Sequence, residues 1–146
     1  NAFQSPAKKV KQRMYELSEF LVQIIGITNL GASFKGKITY HDSCAGLREC
    51  KIKDEPRKLL AAVEGIELVE MNDVETCCGF GGSFAVKYDT ISTSMADQKI
   101  DNAIATEAEY IISTDTSCLM HLEGRINHNG QSIKVLHLAD ILSSGY

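Results

Sequence analysis

Four cysteines and a glycine-rich loop are the residues of this sequence best suited to chemistry. Cys77 and Cys78 stand side by side and are followed closely by Gly79, Gly81 and Gly82. Thiolates are soft ligands for zinc and for iron–sulfur clusters. Glycines allow positive φ angles and a close approach of the backbone to a bound group, and successive N–H groups in such a loop can hold an anion. The alternative interpretation is a pair of small buried side chains beside a tight turn.

The periodicity of the apolar residues indicates which elements position these side chains. Short β-rich runs predict four strands, at 37–41, 66–70, 110–113 and 133–138. Helical spacing fills the gaps between them, and the second helix is expected to be capped by Asp54 and ended by Gly65. This alternation predicts an α/β fold: a parallel, Rossmann-like sheet of about four strands with helices on both faces.

An amphipathic helix is predicted ahead of the sheet. Ser5 and Pro6 are typical of a helix N-terminus, and Gly26 is a natural stop. The apolar residues between them recur at steps of three and four, at Val10, Met14, Leu17, Leu21 and Ile24. We expect this apolar face, including its methionine and aromatic neighbours, to pack in the core.

Each cysteine of the candidate site follows a predicted strand. Cys44 follows the first strand, Cys77 and Cys78 the second, and Cys118 the third. Ligands of open parallel sheets bind beyond the carboxyl ends of the strands, so these loops can bring four distant thiols to one place. The sequence therefore predicts a shared metal or cluster site at this edge of the sheet.

The spacing of the thiols favours a cluster over a single ion. Structural zinc sites usually contain a short Cys-x2-Cys pair, which this sequence lacks. Helices expected to start near Gly46, Ser92 and Cys118 would point their N-termini at the site and favour an anionic group. Zinc at the same thiols and a thiol–disulfide pair at Cys77 and Cys78 remain alternatives.

For three further residues near this site, the sequence gives weaker evidence of a functional role. His41 and Asp42 precede Cys44 and are placed either to orient the loop and donate to the bound group, or simply to cap a turn. Cys50 lies outside the pattern and is expected to be an ordinary, partly buried thiol.

The composition limits the classes of partner. The chain of 146 residues has a formal net charge of −4 and no basic run, which argues against a nucleic-acid partner. No apolar stretch approaches the roughly 20 residues of a membrane span. Five cysteines without a signal peptide argue against a secreted disulfide framework, so we expect a cytoplasmic protein. Asn1 in place of Met leads us to expect a piece of a longer protein, with the missing part upstream.

The cysteine spacing resembles that of a known family. Thirty-two residues separate Cys44 from Cys77, thirty-nine separate Cys78 from Cys118, and two separate Cys118 from His121. This order is similar to that of the cysteine-rich CCG domain, and the sequence motifs at 40–44 and 77–84 look most like those of the lactate utilisation A members of that family. The resemblance covers roughly residues 37–144. It divides the chain into an N-terminal helix and linker, 1–36, and a CCG domain, 37–146.

The resemblance implies a redox role. Cys44, Cys77, Cys78 and Cys118 match the family's cluster ligands, with His121 where the family has a fifth cysteine. A [4Fe–4S] cluster held by four cysteines is the simplest expectation, with His121 as a candidate further ligand. By resemblance, the protein is an iron–sulfur electron-transfer subunit of a complex that oxidises L-lactate to pyruvate. Its partners there are other subunits, including a second iron–sulfur protein, and this chain is the second of two CCG copies.

No acid–base pair suited to removing a hydride or proton from a hydroxy acid stands out in the sequence. We therefore predict no catalytic residues in this chain and expect the partners to perform that step.

Overall fold

Four parallel strands form the sheet of this protein. The computed structural model describes residues 8, 10, 11 and 13–145. The strands are β1 (Ser33–Tyr40), β2 (Glu64–Leu68), β3 (Tyr110–Ser113) and β4 (Lys134–His137). Their order is β2-β1-β3-β4, and each neighbouring pair is parallel. The predicted four-stranded parallel sheet is therefore confirmed, and the bounds of β3 are those expected from the sequence.

Helices connect the strands and cover the sheet. They are α1 (Leu17–Glu19), which continues into a π-helical stretch (Phe20–Ile25), α2 (Asp54–Ala61), α3 (Ser83–Lys87), α4 (Asp89–Ile104), α5 (Thr116–Asn129) and α6 (Leu138–Leu142). A second π-helical stretch (Ala45–Glu49) follows β1.

The sheet has a separate apolar core on each face. On one face, Leu59 and Leu60 of α2 and Ile141 of α6 pack with Ile112 of β3. On the other face, α4 and α5 pack with Ile111 of the same strand. Successive residues of a strand point to opposite faces, which is why neighbouring isoleucines belong to different cores. The expectation of helices on both faces is confirmed.

The N-terminal segment differs from the expected continuous helix. The chain leaves the helical conformation at residues 13–16, and Glu16 caps a new helix by accepting from the N–H groups of Ser18 (2.7 Å) and Glu19 (3.3 Å). Gly26 ends that helix in the left-handed conformation, as predicted. The expected caps Ser5 and Pro6 lie outside the described residues.

The apolar face predicted for this segment is not buried. Met14 is 72% exposed and Ile24 is 51% exposed. Only part of the stretch, including Leu21 and Val22, packs against the first core. The prediction that this face belongs to the core was therefore wrong, because a π-helical stretch after a break does not keep the 3.6-residue period that the pattern assumed.

Several element boundaries also differ from the predicted ones. β1 begins at Ser33, inside the expected linker, because its first residues pair with β2. Gly65 lies within β2 at φ +88° and does not end α2, whose N-cap is Lys53, not Asp54. Cys50 is exposed, not partly buried.

Candidate metal centre

The carboxyl ends of β1 and β3 define where a ligand can bind. Strand order reverses between these two neighbours, since the chain runs from β1 outward to β2 and returns on the other side to β3. In open α/β sheets such a reversal leaves a crevice beyond the strand ends. The residues after β1, after β2 and after β3 all reach this crevice.

The first of these residues is His41, immediately after β1. Its N–H donates to the carbonyl oxygen of Ile112 at 2.8 Å, and its carbonyl accepts from the Ser113 hydroxyl at 3.0 Å. Both bonds tie the end of β1 to β3, so the N–H and the carbonyl of His41 are both held by that strand. The His41 side chain is fully buried.

Cys118 reaches the same crevice from the first turn of α5. Asp115 caps that helix, since one of its carboxylate oxygens accepts from the N–H groups of Ser117 (2.9 Å) and Cys118 (3.2 Å). The side chain of Cys118 is 8% exposed. A thiol in this position feels the positive end of the helix dipole, which favours an anionic group beside it.

Cys77 and Cys78 arrive on the long loop between β2 and α3. The Ser92 hydroxyl donates to the carbonyl of Gly79 at 2.8 Å, which fixes the loop just after the cysteines. Cys78 is buried, whereas Cys77 is half-buried and accepts from the N–H of Gly79 at 3.4 Å. Two adjacent cysteines therefore point to different surroundings.

Three ligand atoms meet at the centre of this site. One ligand atom each from His41, Cys78 and Cys118 lies within 4.8 Å of the other two, and all three residues are buried. They come from three different segments at the carboxyl edge of the sheet: the end of β1, the β2–α3 loop and the first turn of α5. This group could hold a metal ion or one part of a cluster.

The two buried thiols share one proton between them. The hydrogen bond from Cys118, with a smaller contribution from nearby His41, lowers the pKa of Cys78 to about 4 although burial acts against ionisation. The same hydrogen bond to the Cys78 thiolate, together with burial, raises the pKa of Cys118. Only one of the pair ionises readily, because two thiolates this close repel each other in a low-dielectric site.

Cys44 and Cys77 form the outer half of the site. Burial, followed by a hydrogen bond to Cys77, raises the pKa of Cys44. The charges of Cys77 and Cys78 both act on Cys44, and both also act on Cys118. The structure thus brings the four predicted cysteines to one edge, as an outer pair and an inner pair, and all five cysteines are free thiols.

His121 lies beside the site but outside the group of three. Its Nε2 is 3.2 Å from the Ser92 hydroxyl oxygen, and its ring centroid is 5.9 Å from that of Phe80. Within the described part of the chain, the close group contains His41 instead. The prediction of His121 as a ligand was based on position in the sequence, which does not show what its ring contacts.

The glycines of the loop have different roles from one another. A Cβ atom on Gly79 would lie 2.5 Å from the backbone oxygen of Ser92, so α4 itself requires a glycine there. A Cβ atom on Gly81 would lie 2.9 Å from the Cβ of Phe84, whereas one on Gly82 would meet nothing within 4 Å. At Gly79 the close approach is therefore to a helix, and not only to a bound group.

Two basic residues that the sequence did not single out hold the site from outside. Arg57 of α2 binds both carboxylate oxygens of Asp42, at 3.0 and 2.9 Å, and also binds Glu70 at 2.6 Å. Lys99 of α4 is 1% exposed and donates from its ammonium to the carbonyls of Asp73 (2.5 Å) and Val74 (3.1 Å). Neither role could be predicted from neighbouring residues in the sequence, because each side chain binds a segment that lies far away along the chain.

These residues fit a thiophilic metal or an iron–sulfur cluster. Four thiols and an imidazole provide the soft and borderline donors that such groups prefer. The opposite pKa shifts of Cys78 and Cys118 have a natural resolution, because a bound cation would allow both thiols to lose their protons. Both ring nitrogens of His41 also lack a hydrogen-bond partner among the described residues. Buried polar atoms rarely remain unpaired, so these nitrogens favour a bound group.

The protein is thus a parallel α/β domain whose cysteines gather at the carboxyl edge of its sheet. Residues 38–123 match the family described as CCG, cysteine-rich domain, and the chain belongs to that family. Lactate utilization protein A of Oceanobacillus iheyensis is 42% identical to it over 142 residues, which make up 97% of this chain and 58% of the relative. The protein of the same name from Geobacillus sp. strain WCH70 is 42% identical over 142 residues, 97% of this chain and 60% of that protein.

A further relative is uncharacterized protein YkgE of Escherichia coli K12, 43% identical over 140 residues, 96% of this chain and 59% of that protein. The chain thus spans about three-fifths of the length of the curated relatives it matches. The predicted resemblance to the CCG family is confirmed. None of the helices in the described ranges is long and apolar enough to cross a membrane.

Proposed function

We propose that this chain binds an iron–sulfur cluster, of the [4Fe–4S] type, through Cys44, Cys77, Cys78 and Cys118 and transfers electrons in a lactate-oxidising system. The observation that carries the proposal is the meeting of these thiols, from three separate segments of the chain, at one edge of the sheet. Such a cluster would serve as a carrier of one electron at a time.

The arrangement of the vicinal pair favours a cluster over a single ion. Cys77 faces Cys44 in the outer half of the site, while Cys78 faces Cys118 in the inner half. One tetrahedral ion would require its thiols to converge on a single point. Two pairs that reach the same region from different directions suit a larger inorganic core.

The surroundings of the thiols suit an anionic group. Arg48 opposes the rise in the pKa of Cys44, and the buried ammonium of Lys99 lies near enough to Cys77 and Cys78 to interact with their charges. The N-terminal turn of α5 adds its dipole. These groups would hold an electron-accepting cluster in place and make its reduction easier.

The lactate assignment is supported by the names of the relatives. L-lactate oxidation to pyruvate releases two electrons and two protons, which a cluster cannot accept in one step. We therefore assign the chemistry on lactate to partner subunits, and to this chain the passage of single electrons to or from a second iron–sulfur protein. The domain at 37–146 is the part we propose for this role, in the cytoplasm.

Structural zinc at the inner part of the site is the second candidate. Around a tetrahedral zinc ion, sulfur ligands lie about 3.8 Å apart, given Zn–S bonds of about 2.3 Å. The mutual spacing within 4.8 Å of the ligand atoms of His41, Cys78 and Cys118 is compatible with that arrangement. Metal analysis separates the two candidates.

The test is anaerobic purification of this protein, followed by iron, sulfide and zinc analysis. We expect a brown protein with about four iron and four sulfide per site, and a paramagnetic signal on reduction. Cys118→Ser and Cys44→Ser should lower the iron content severalfold. Cys50→Ser is the matched control and should retain iron, since that thiol is exposed. Zinc without iron would favour the second candidate, and metal-free protein with reversible thiol oxidation would overturn both.

The physiological role has a separate test. A host strain lacking the gene should lose growth on L-lactate and recover it with wild-type protein or Cys50→Ser. Cys118→Ser should not restore growth. If the strain lacking the gene grows normally on lactate, the lactate assignment is wrong even where the cluster is present.

A further inference from the structure

We infer that His41 supplies a nitrogen ligand to the metal centre, bound beside Cys78 and Cys118. The inference depends on the proposed metal-binding function and assigns to His41 the role that the sequence alone suggested for His121. It is based on three observations: the proximity of the ring to the thiols, its burial without a hydrogen-bond partner, and the contacts that hold its backbone.

The first observation is the position of the His41 ring. A ring nitrogen of His41 lies within 4.8 Å of the sulfur atoms of Cys78 and Cys118, which themselves lie within that distance of each other. Imidazole nitrogen is among the commonest metal ligands in proteins, and it combines with thiolates in both zinc and iron sites. The three side chains reach this position from β1, from the β2–α3 loop and from α5.

The second observation is that, apart from its electrostatic interaction with the neighbouring Cys78 thiol, the His41 ring has no evident partner within the described residues. The residue is 0% exposed, and neither Nδ1 nor Nε2 has a hydrogen-bond partner within the described residues. An imidazole that served only to cap a turn would bond to the backbone of that turn. A metal ligand role explains why a polar ring is buried at this place without such a bond.

The third observation is that the backbone presents the ring. The N–H of His41 donates to Ile112 and its carbonyl accepts from Ser113. Next along the chain, Asp42 is held by two bonds from Arg57. The backbone that carries the ring therefore cannot shift without breaking contacts to two neighbouring elements, which is the support that a ligand needs to be preorganised.

His121 is occupied in a way that His41 is not. The hydroxyl proton of Ser92 is donated to the carbonyl of Gly79, so this hydroxyl can only accept from the Nε2–H of His121. A protonated Nε2 has no lone pair for a metal. The remaining lone pair of His121 is on Nδ1, and no nitrogen of His121 belongs to the close group of ligand atoms. Of the two histidines near the thiols, His41 is therefore the one with a ring nitrogen beside Cys78 and Cys118.

The test compares three variants at the two histidines, each purified without oxygen. His41→Gln keeps a side chain of similar size, His41→Ala removes it, and His121→Ala is the matched control. Circular dichroism and the thermal midpoint establish that each variant is folded. X-ray absorption at the edge of the retained metal, iron or zinc, reports the nitrogen ligands, and pulsed electron resonance with ¹⁵N-histidine labelling does so for a reduced cluster.

We expect a directly bound histidine nitrogen in wild type and in His121→Ala, and its loss in both His41 variants. If metal is bound but no histidine nitrogen is detected, or if the signal persists in the folded His41 variants, the inference is wrong and the proposed function stands. Loss of the signal in His121→Ala alone would assign the role to His121. If the wild-type protein contains neither iron nor zinc, the proposed function fails, and this inference fails with it.

Discussion

At the scale of single residues, the loop after Cys78 is constrained by the helix behind it. Gly79 adopts φ +92°, and an added Cβ would collide with the backbone oxygen of Ser92 at 2.5 Å and with the Cβ of Met95 at 2.9 Å. Gly82 also has a positive φ, +58°, but has open space around it. The two glycines therefore separate the effect of backbone strain from the effect of a steric collision.

Gly79→Ala is expected to be much more disruptive than Gly82→Ala. Strain at a positive φ costs about 1 kcal/mol in both, and at Gly79 the collision with backbone adds further loss because α4 must move. We expect Gly79→Ala to lower the free energy of unfolding by at least about 3 kcal/mol. Urea denaturation of the two variants measures both free energies of unfolding. Equal losses in the two variants would show that the contact with α4 does not matter.

At the scale of elements, Arg57 joins the ends of β1 and β2. Its guanidinium binds Asp42 after β1 and Glu70 after β2, and its carbon Cζ lies 4.9 Å from the centre of the Tyr40 ring. The Asp42 side chain is only 2% exposed, so Arg57 neutralises a buried charge next to His41. A second Arg–Asp pair, Arg125 with Asp97, is more exposed, at 21% and 35%.

Arg57→Met is expected to destabilise the protein by about 3–5 kcal/mol, because the Asp42 carboxylate stays buried without its partner. It should also weaken metal retention, since Asp42 adjoins His41. Arg125→Met removes a comparable pair nearer to solvent and should cost only about 1 kcal/mol. Chemical denaturation and metal content of both variants check this. A similar small loss for both would mean that Arg57 does not support the site.

Lys99 holds the loop that carries Cys77 and Cys78. Its buried ammonium bonds to two carbonyls of residues 73 and 74, a few positions before Cys77. Burial lowers the pKa of Lys99, because the ammonium loses its hydration when it binds these two carbonyls. These two hydrogen bonds therefore stabilise the loop more than they stabilise the apolar core.

Lys99→Met is expected to loosen residues 72–78 without a large loss of global stability. A hydrogen bond to a charged group contributes about 1.5–3 kcal/mol, so amide exchange in that segment should accelerate about tenfold or more. The removed desolvation penalty offsets part of the global effect. Hydrogen–deuterium exchange by mass spectrometry measures this. Lys58→Met, at an exposed position of α2, is the control, and unchanged exchange in Lys99→Met would contradict the assignment.

At the scale of the whole molecule, the two cores lie on opposite faces of one sheet and the N-terminal helix adds little to either. Leu59 of α2 is fully buried in the first core, whereas Ile24 and Ile25 of the N-terminal stretch are 51% and 47% exposed. Stability in this chain therefore comes from the helices that cover the sheet.

Ile24→Ala is expected to change the free energy of unfolding of this chain by no more than about 0.5 kcal/mol. Leu59→Ala should lower it by about 2–5 kcal/mol, because it leaves a cavity in a closed core. Thermal and urea unfolding of the two variants measures the contrast. A loss of several kcal/mol from Ile24→Ala would show that the N-terminal face is buried after all.

The sequence by itself determined the sheet and the edge at which the cysteines lie. Runs such as Tyr110–Ser113 have a period that depends on neighbouring residues alone, and parallel strands place all their carboxyl ends together. The cysteines that follow these strands therefore had to lie at the same edge of the sheet; they are Cys44, Cys77, Cys78 and Cys118.

Only the tertiary structure decided which side chains face one another at that edge. The position of His41, and not His121, beside the buried thiols, the collision behind Gly79 and the contacts of Arg57 and Lys99 all depend on contacts between distant parts of the chain. The exposure of the N-terminal helix has the same origin, because an apolar face is buried only where another element covers it. Local periodicity specifies the elements, and long-range packing specifies the site.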